Sequence, residues 1–297
     1  MTQPLSAVAI RAACRHRAAA TVAIEVVEAT GSTNADLIAR AAAAAAWSVP
    51  SALAGPTLLV ARRQTAGRGR AGRTWLSNAG SLTFSLAWRF EQPLSALIGL
   101  PLAIGVTVAE VLNARGAGVQ LKWPNDVLVG SAKLAGILIE TVALPTLLQP
   151  QAWAVIGVGI NVDAGAPLPG AALEAFSMAA PQDMQPLPAM AVAVLPATDR
   201  NLLLAHLLDA CCATLAEFDA HGLTPFLGRW NALHAHAGRM VDIFERGTLV
   251  RSGRALGIDA MGRLLLETDG DTLAVLAVLA GDVSLRPSKE RSDAAVD

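Results

Sequence analysis

From Arg62 to Trp75 the chain reads RRQTAGRGRAGRTW, and no other stretch limits its folding as much. Five arginines carry charge that cannot be titrated away, while Gly67, Gly69 and Gly72 open loop conformations that a Cβ would penalise. PTLLVARR before it and SLTFSLAWRF after it have the apolar character of strands, so the segment is a short loop joining two of them. An arginine fork matches phosphate or carboxylate, and glycine lets backbone N–H groups come close to a bound anion.

The rest of the chain supplies a frame for that loop. TVAIEVV over 21–27 predicts a strand, followed by a helix opened by Ser32, Thr33 and Asn34. Residues 94–115 have helical spacing and stop before Gly116. VQLKWPND and KLAGILIET predict a hairpin pair, and WAVIGVGINV a central strand whose glycines mark a close approach. Helical spacing returns from Arg200 to Ala220 and from Thr224 to His234, with Phe226 and Trp230 as core contacts. Over 238–286 short alternating strands are divided by Arg246-Gly247, Met261-Gly262 and Asp269-Gly270, the pattern of a small β-barrel. The expected architecture is an α+β domain followed by a separate all-β module.

Composition removes several function classes. A chain of 297 residues with 53% hydrophobic content has room for about two domains. Its 23 Lys+Arg against 24 Asp+Glu leave a net charge of −1, which argues against a general nucleic-acid binder. Cys14, Cys211 and Cys212 form neither a disulfide framework nor a CxxC zinc site, so a reducing cytoplasm is expected. His234 and His236 alone approach metal-ligand spacing, and no structural zinc is expected. No signal peptide and no membrane span are expected either. The run Ala41 to Ala46 and the alanine/proline-rich stretch 164–197 read as surface elaboration, the latter as a partly disordered insertion.

The loop's ligand can be narrowed further. There is no GxxxxGK[ST], and GRGRAG lacks both the following helix and the acidic ribose ligand of a dinucleotide site. RG-rich RNA-binding segments are long and repetitive, whereas this is one short loop. Lysine is rare: of 23 basic residues only Lys122, Lys133 and Lys289 are lysines. An arginine loop with a separate lysine suits a reaction joining two anions, a carboxylate and a triphosphate, whose repulsion must be cancelled before attack. On that reading Lys133 bridges the carboxylate and the α-phosphate, and Arg70 holds the developing charge while the loop excludes water. Plainer readings stand beside these: a solvated turn for the loop, a solvent-facing strand lysine for Lys133, a helix N-cap for Ser32, Thr33 and Asn34, and an ordinary turn for WPND.

GSTNADL, RQTAGRGRAGRTW, LKWPNDVLV, KLAGILIET and IGVGINV occur in the order and at about the spacing found in biotin-protein ligases, and the chain resembles that family from about Val26 to Pro287. GLTPFLGRWNALHAHAGRMVDI, GRLLLETDG and GDVSLRP resemble its second half. The resemblance implies an N-terminal extension (1–24), a catalytic domain (25–236) with a mixed β-sheet of the class II synthetase-like biotin/lipoate ligase type, an SH3-like β-barrel (237–288) and a tail (289–297). It also implies two-step chemistry. Biotin and MgATP give biotinyl-5′-adenylate and pyrophosphate, and a lysine of a biotin carboxyl carrier domain then attacks the mixed anhydride.

Carried over motif by motif, the resemblance places Ser32, Thr33, Asn34, Gln64, Gly67, Arg68, Gly69, Arg70, Lys133, Gly136, Gly157 and Gly159 around biotin. Arg68, Arg70, Arg73, Trp75, Lys122, Trp123, Asn125, Asp126 and Asn161 would face ATP or the adenylate, with Mg2+ arriving on ATP near Asp126 and no metal held by the protein alone. Lys133 and Arg70 carry the catalytic roles. Short hydroxyl and amide groups suit the uncharged ureido ring, and Trp75 and Ile137 would wall its apolar parts. The 24 residues ahead of the catalytic domain are too few for a helix-turn-helix, so DNA binding is not expected. A monomer or weak homodimer is expected, and the 164–197 insertion either caps the site or decorates the surface. A lipoate-type acyl-adenylate ligase and a noncatalytic biotin-binding protein are the competing functions; GRGRAGR separates the first, and the Lys133 charge the second.

Overall fold

The computed structural model describes residues 4–46, 53–77, 80–144, 151–162, 199–268, 274–280 and 283–288. Seven strands form the first sheet: β1 (Ala23–Thr30), β2 (Thr57–Gln64), β3 (Ser81–Phe90), β4 (Val119–Lys122), β5 (Asp126–Val129), β6 (Ala132–Leu144) and β7 (Gln151–Asn161). Their order is β1-β2-β3-β7-β6-β5-β4, parallel only between β1 and β2, so the sheet is mixed and β7 is its middle strand. VQLK and KLAGILIET do not pair with each other as expected. DVLV intervenes as β5, pairing with both β4 and β6, because the turn falls within WPND rather than after it.

Strand alternation divides the sheet into two faces. Leu58, Val60, Leu82, Phe84, Leu86, Ile156, Val158 and Ile160 join α3 (Leu100–Asn113) and α4 (Arg200–His221) in the main core. The stretch Leu94–Asn113, which ends in α3, and α4 are long and apolar enough to cross a membrane by composition, and both contribute residues to this core. On the other face Leu59, Ala87, Trp153 and Val155 receive Leu37 and Ala41 of α2 (Thr33–Ala45). The alanine run is therefore not surface elaboration: Ala41 and Ala45 are buried, since a small side chain lets a helix lie close to a sheet. Ser32 caps α2 by accepting from the Ala35 N–H.

Ahead of β1, α1 (Ala7–Ala13) and a 3-10 turn at Arg17–Thr21 lie on α4. Leu5, Ile10, Ala19 and Val22 are buried, the Ser6 N–H donates to Asn201, and Asp209 accepts from the Arg15 and His16 N–H groups. Four apolar residues scattered among arginines carry little sequence signal, yet all four join the main core. Each large one contributes about 1.5–3 kcal/mol of burial.

The second sheet contains β8 (Met240–Glu245), β9 (Thr248–Ile258), β10 (Leu264–Thr268), β11 (Ala274–Val278) and β12 (Val283–Pro287) in the order β11-β10-β9-β8-β12. It is antiparallel, bulged at Leu265/Leu266 and at Ile243/Phe244. This antiparallel sheet is the expected all-β module, and among the described residues β11 and β12 are its two edge strands. Arg246 and Gly247 form the expected tight turn with φ of 48° and 86°. Asp269-Gly270 and the 164–197 insertion lie outside the described residues.

Where the two sheets meet, α5 (Leu227–Ala232) leads into a stretch that brackets β4. The Leu121 N–H donates to Leu233 O and the Ala235 N–H to Leu121 O. His234 and His236, 4% and 6% exposed, sit in this joint, and their ring nitrogens have no hydrogen-bond partner among the described residues. Burial, aided by His236, holds His234 down at about 4, while burial with the Lys122 and Arg239 charges does the same for His236.

Two outcomes follow from this packing. Ile10→Ala should lower unfolding free energy by about 2–5 kcal/mol in urea titration, whereas a loose appendage would leave it unchanged. Both imidazoles bind protons more readily unfolded, at the ordinary 6.5, than folded, at about 4, so stability should drop as pH falls through that window. The thermal midpoint should decline from pH 6.5 to pH 4 less steeply in His234→Leu/His236→Leu than in the parent; parallel declines would refute the assignment.

Candidate active site

The face that α2 covers continues beyond its first turn, and there β3 and β7 carry only small side chains or none. Ser85 of β3, Gly157 of β7 and Leu138 of β6 lie in one row; Thr83, Gly159 and Gly136 lie in the next. The glycines make this floor. A Cβ on Gly157 would strike Asn34 Oδ1, and one on Gly159 or Gly136 would press on the Trp75 indole.

Over this floor runs a line of polar contacts. Gln64 Oε1 accepts from the Thr33 N–H at 2.8 Å and from Thr33 Oγ1 at 3.1 Å. Thr33 Oγ1 meets Ser85 Oγ at 2.7 Å, and Ser85 donates to Asn34 Oδ1 at 2.7 Å. Asn34 Nδ2 donates to Glu140 Oε2 at 2.9 Å. Thr33 and Asn34 are buried, so they could not sit there unsatisfied without cost.

The arginine loop folds back on itself above the same floor. The Gly69 N–H donates to Arg73 O, the Trp75 N–H to Gly67 O, and Arg68 bridges to Thr74. Its tip, Arg70–Gly72, turns through Ala71 and Gly72 at positive φ. Arg68 Nη2 donates to Glu140 Oε1 at 2.7 Å, and Arg70 Nη1 to Asn125 Oδ1 at 3.1 Å. Asn125 is held in turn by exchange with Ile137, giving its Nδ2 proton to Ile137 O.

Next to it, Asp126 pairs with Lys133 Nζ at 2.5 Å and lies 4.0 Å from Lys122 Nζ. Lys133 is also 5.7 Å from the Trp75 ring. Burial lowers the Lys122 pKa against the opposing pull of Asp126, and Lys133, Arg73 and Arg286 lower it further. The arrangement is a floor of backbone, one polar wall, and the cations Lys122, Lys133, Arg68 and Arg70 set among two carboxylates, Asp126 and Glu140. Such a site can accept an uncharged polar ring at one end and concentrated negative charge at the other.

Comparison with known proteins agrees with this layout. Residues 45–161 match the biotin/lipoate A/B protein ligase family, and residues 236–286 match the biotin protein ligase C terminal domain. The chain is 39% identical over 232 residues to the bifunctional ligase/repressor BirA of Salmonella typhimurium, covering 77% of this chain and 67% of that protein. It is 35% identical over 271 residues to the biotin–[acetyl-CoA-carboxylase] ligase of Mycobacterium tuberculosis, covering 88% of each. This chain belongs to the biotin protein ligase family. The biotin protein ligase of Aquifex aeolicus, solved with biotin and ATP, superposes with a TM-score of 0.63 at 27% identity, covering 90% of this chain and 99% of that one.

For this biotin protein ligase family member the structure brings most of the expected site residues together. Thr33, Asn34, Gln64, Gly67, Arg68, Arg70, Trp75, Asn125, Asp126, Lys133, Gly136, Gly157 and Gly159 line or border the floor just described, while Ser32 caps α2 and Gly69 lies in the loop ladder against Arg73. Asn161 shares the face of Gly159 and accepts from Ser81 at the sheet end. Arg73 is exposed at the loop's return, and Lys122 stands behind Asp126.

Two expectations need correction. Trp123 does not face a ligand: it is 1% exposed, and its indole N–H donates to Gly262 O, tying the first sheet to the second. Ile137 points to the opposite side, toward Gly105 of α3, because alternation on β6 gives the site face to Gly136 and Leu138. Sequence reading missed Ser85 and Glu140. Ser85 is one of three small polar residues, with Ser81 and Thr83, that alternate along β3, and Glu140 is an acid on β6 seven residues past Lys133, so each left a weak signal.

Gly157→Ala should displace Asn34 and weaken biotin affinity by about tenfold or more, against little change for alanine at the exposed Gly228. Isothermal titration of both variants checks it; equal affinities would remove Gly157 from the floor.

Proposed function

We propose that this chain is an ATP-dependent ligase that activates biotin as biotinyl-5′-adenylate and transfers it to a lysine of the biotin carboxyl carrier domain of acetyl-CoA carboxylase or a related carboxylase. The observation that carries the reading is the convergence of Lys133, Asp126 and Arg70 beside a glycine floor and the Thr33–Asn34 wall. Relatives named biotin–[acetyl-CoA-carboxylase] ligase support the acceptor.

In the first step a biotin carboxylate oxygen attacks the α-phosphorus of ATP, and the bond to pyrophosphate breaks. Both reactants are anions, so Lys133 Nζ, released from Asp126, would sit between them and lower their repulsion. Asp126 offers a single carboxylate, which suits a magnesium ion delivered with nucleotide phosphates rather than one caged by protein. Arg70, steered by Asn125, would hold the adenylate phosphate while the loop keeps water from the anhydride. In the second step the carrier's amine attacks the anhydride carbonyl, AMP leaves with the bonding pair, and the amine loses a proton.

The ureido ring needs donors and acceptors at short range, and Ser32, Thr33, Asn34 and Gln64 supply them. Trp75, with its buried indole N–H lacking a partner among the described residues, would cover the apolar part. The net charge of −1 and the free thiols Cys14, Cys211 and Cys212 support a cytoplasmic enzyme that does not act on DNA. A match to the biotin-type C-terminal domain favours biotin over lipoate.

Incubation with biotin, MgATP and a carrier domain should add one biotinyl mass to the carrier, read by mass spectrometry; lipoyl transfer without biotinyl transfer would decide for the alternative. Lys133→Ala should slow adenylate formation by about 10²–10³-fold while biotin affinity changes little. Equal losses in both would contradict its role in the chemical step.

A further inference from the structure

Glu140 stands outside every role assigned so far, yet its two oxygens serve two different elements. Oε2 accepts from Asn34 on α2, and Oε1 accepts from Arg68 in the arginine loop. The geometry assigns Glu140 as the positioning residue that couples the polar wall of the pocket to closure of the loop.

The argument starts from proton direction along the wall. Ser85 gives its hydroxyl proton to Asn34 Oδ1, so Ser85 Oγ must accept from Thr33 Oγ1, whose proton is shared between Ser85 and Gln64. Asn34 is 3% exposed and uses both ends of its amide, the oxygen toward Ser85 and the nitrogen toward Glu140. It cannot flip without setting its amide oxygen against the Glu140 carboxylate, acceptor against acceptor. A ligand hydrogen bond taken at Thr33 or Asn34 therefore alters how firmly Asn34 holds the Glu140 carboxylate.

At the other end Glu140 grips a residue that organises the whole loop. Arg68 bridges to Thr74, next to the Gly69–Arg73 and Gly67–Trp75 contacts, so fixing Arg68 fixes the ladder that carries Arg70 over Asn125. The Arg68 and Glu140 side chains are 49% and 23% exposed, so solvent screens the pair and its contribution to global stability is small. Its effect lies in where the loop is held. Only the ligand-dependent part of this proposal rests on the pocket's being a biotin site.

Limited trypsin digestion of the full chain, with cleavage after Arg70 and Arg73 read by mass spectrometry, tests it. Glu140→Gln keeps the shape but removes the charge. Without ligand it should be cut about tenfold faster than the parent at both positions, with an unchanged thermal midpoint. Biotin should slow cleavage of the parent but not of Glu140→Gln, although calorimetry still records binding to both. Arg68→Gln, on an exposed loop, should reproduce the effect, and the double variant should be cut no faster than either single one. Unchanged cleavage in Glu140→Gln, additive effects in the double variant, or equal protection by biotin would overturn the proposal. A parent that binds no biotin would instead defeat the proposed function, and the ligand-free comparison would still decide the role of Glu140.

Discussion

Everything at the candidate site depends on how β7 alternates. Its Ile156, Val158 and Ile160 point into the main core, which fixes the strand's register, and the same pleat turns Gly157 and Gly159 to the opposite face. That face would be filled by α2 if its residues stayed large, as they do at Trp153 and Val155. Past those two positions the side chains vanish, and the space goes to Asn34 and Trp75. One strand thus makes the core and the floor of the site, and a shift of one residue would destroy both.

Charge is arranged around that floor in pairs rather than as a free cationic surface. Asp126 faces Lys133, and Glu140 faces Arg68. Partly exposed pairs of this kind add at most about 1 kcal/mol each to folding. Their use is orientation: each carboxylate parks a long, flexible cation where an anionic reactant would need it, and so removes part of the entropy that ordering would otherwise cost. The joint between the two sheets follows a different logic, with neutral imidazoles and an indole buried around β4.

Much of this was legible beforehand. The strands around the arginine loop, the capped helix at Ser32 and the middle strand at 151–161 announce themselves through period and turn chemistry. Lys133 and the arginine loop stood out because lysine is scarce and glycine clustered. Other features were illegible for definite reasons. Trp123 was placed at the ligand by the resemblance of its motif, which has no sign saying which way the indole faces, and tertiary packing turned it to Gly262. The residues before β1 read as an appendage because Leu5, Ile10, Ala19 and Val22 make sense only when α4, nearly two hundred positions away, presents its face.

What the amino-acid order determined alone is therefore local: alternation, caps, turns, and which residues carry charge that cannot be removed. The fold decided what depends on contacts between distant segments. It brought Glu140 to both Asn34 and Arg68 and set Ser85 between Thr33 and Asn34. Periodicity is set by neighbours along the chain, whereas a hydrogen bond across about a hundred residues exists only after the sheet has chosen its register.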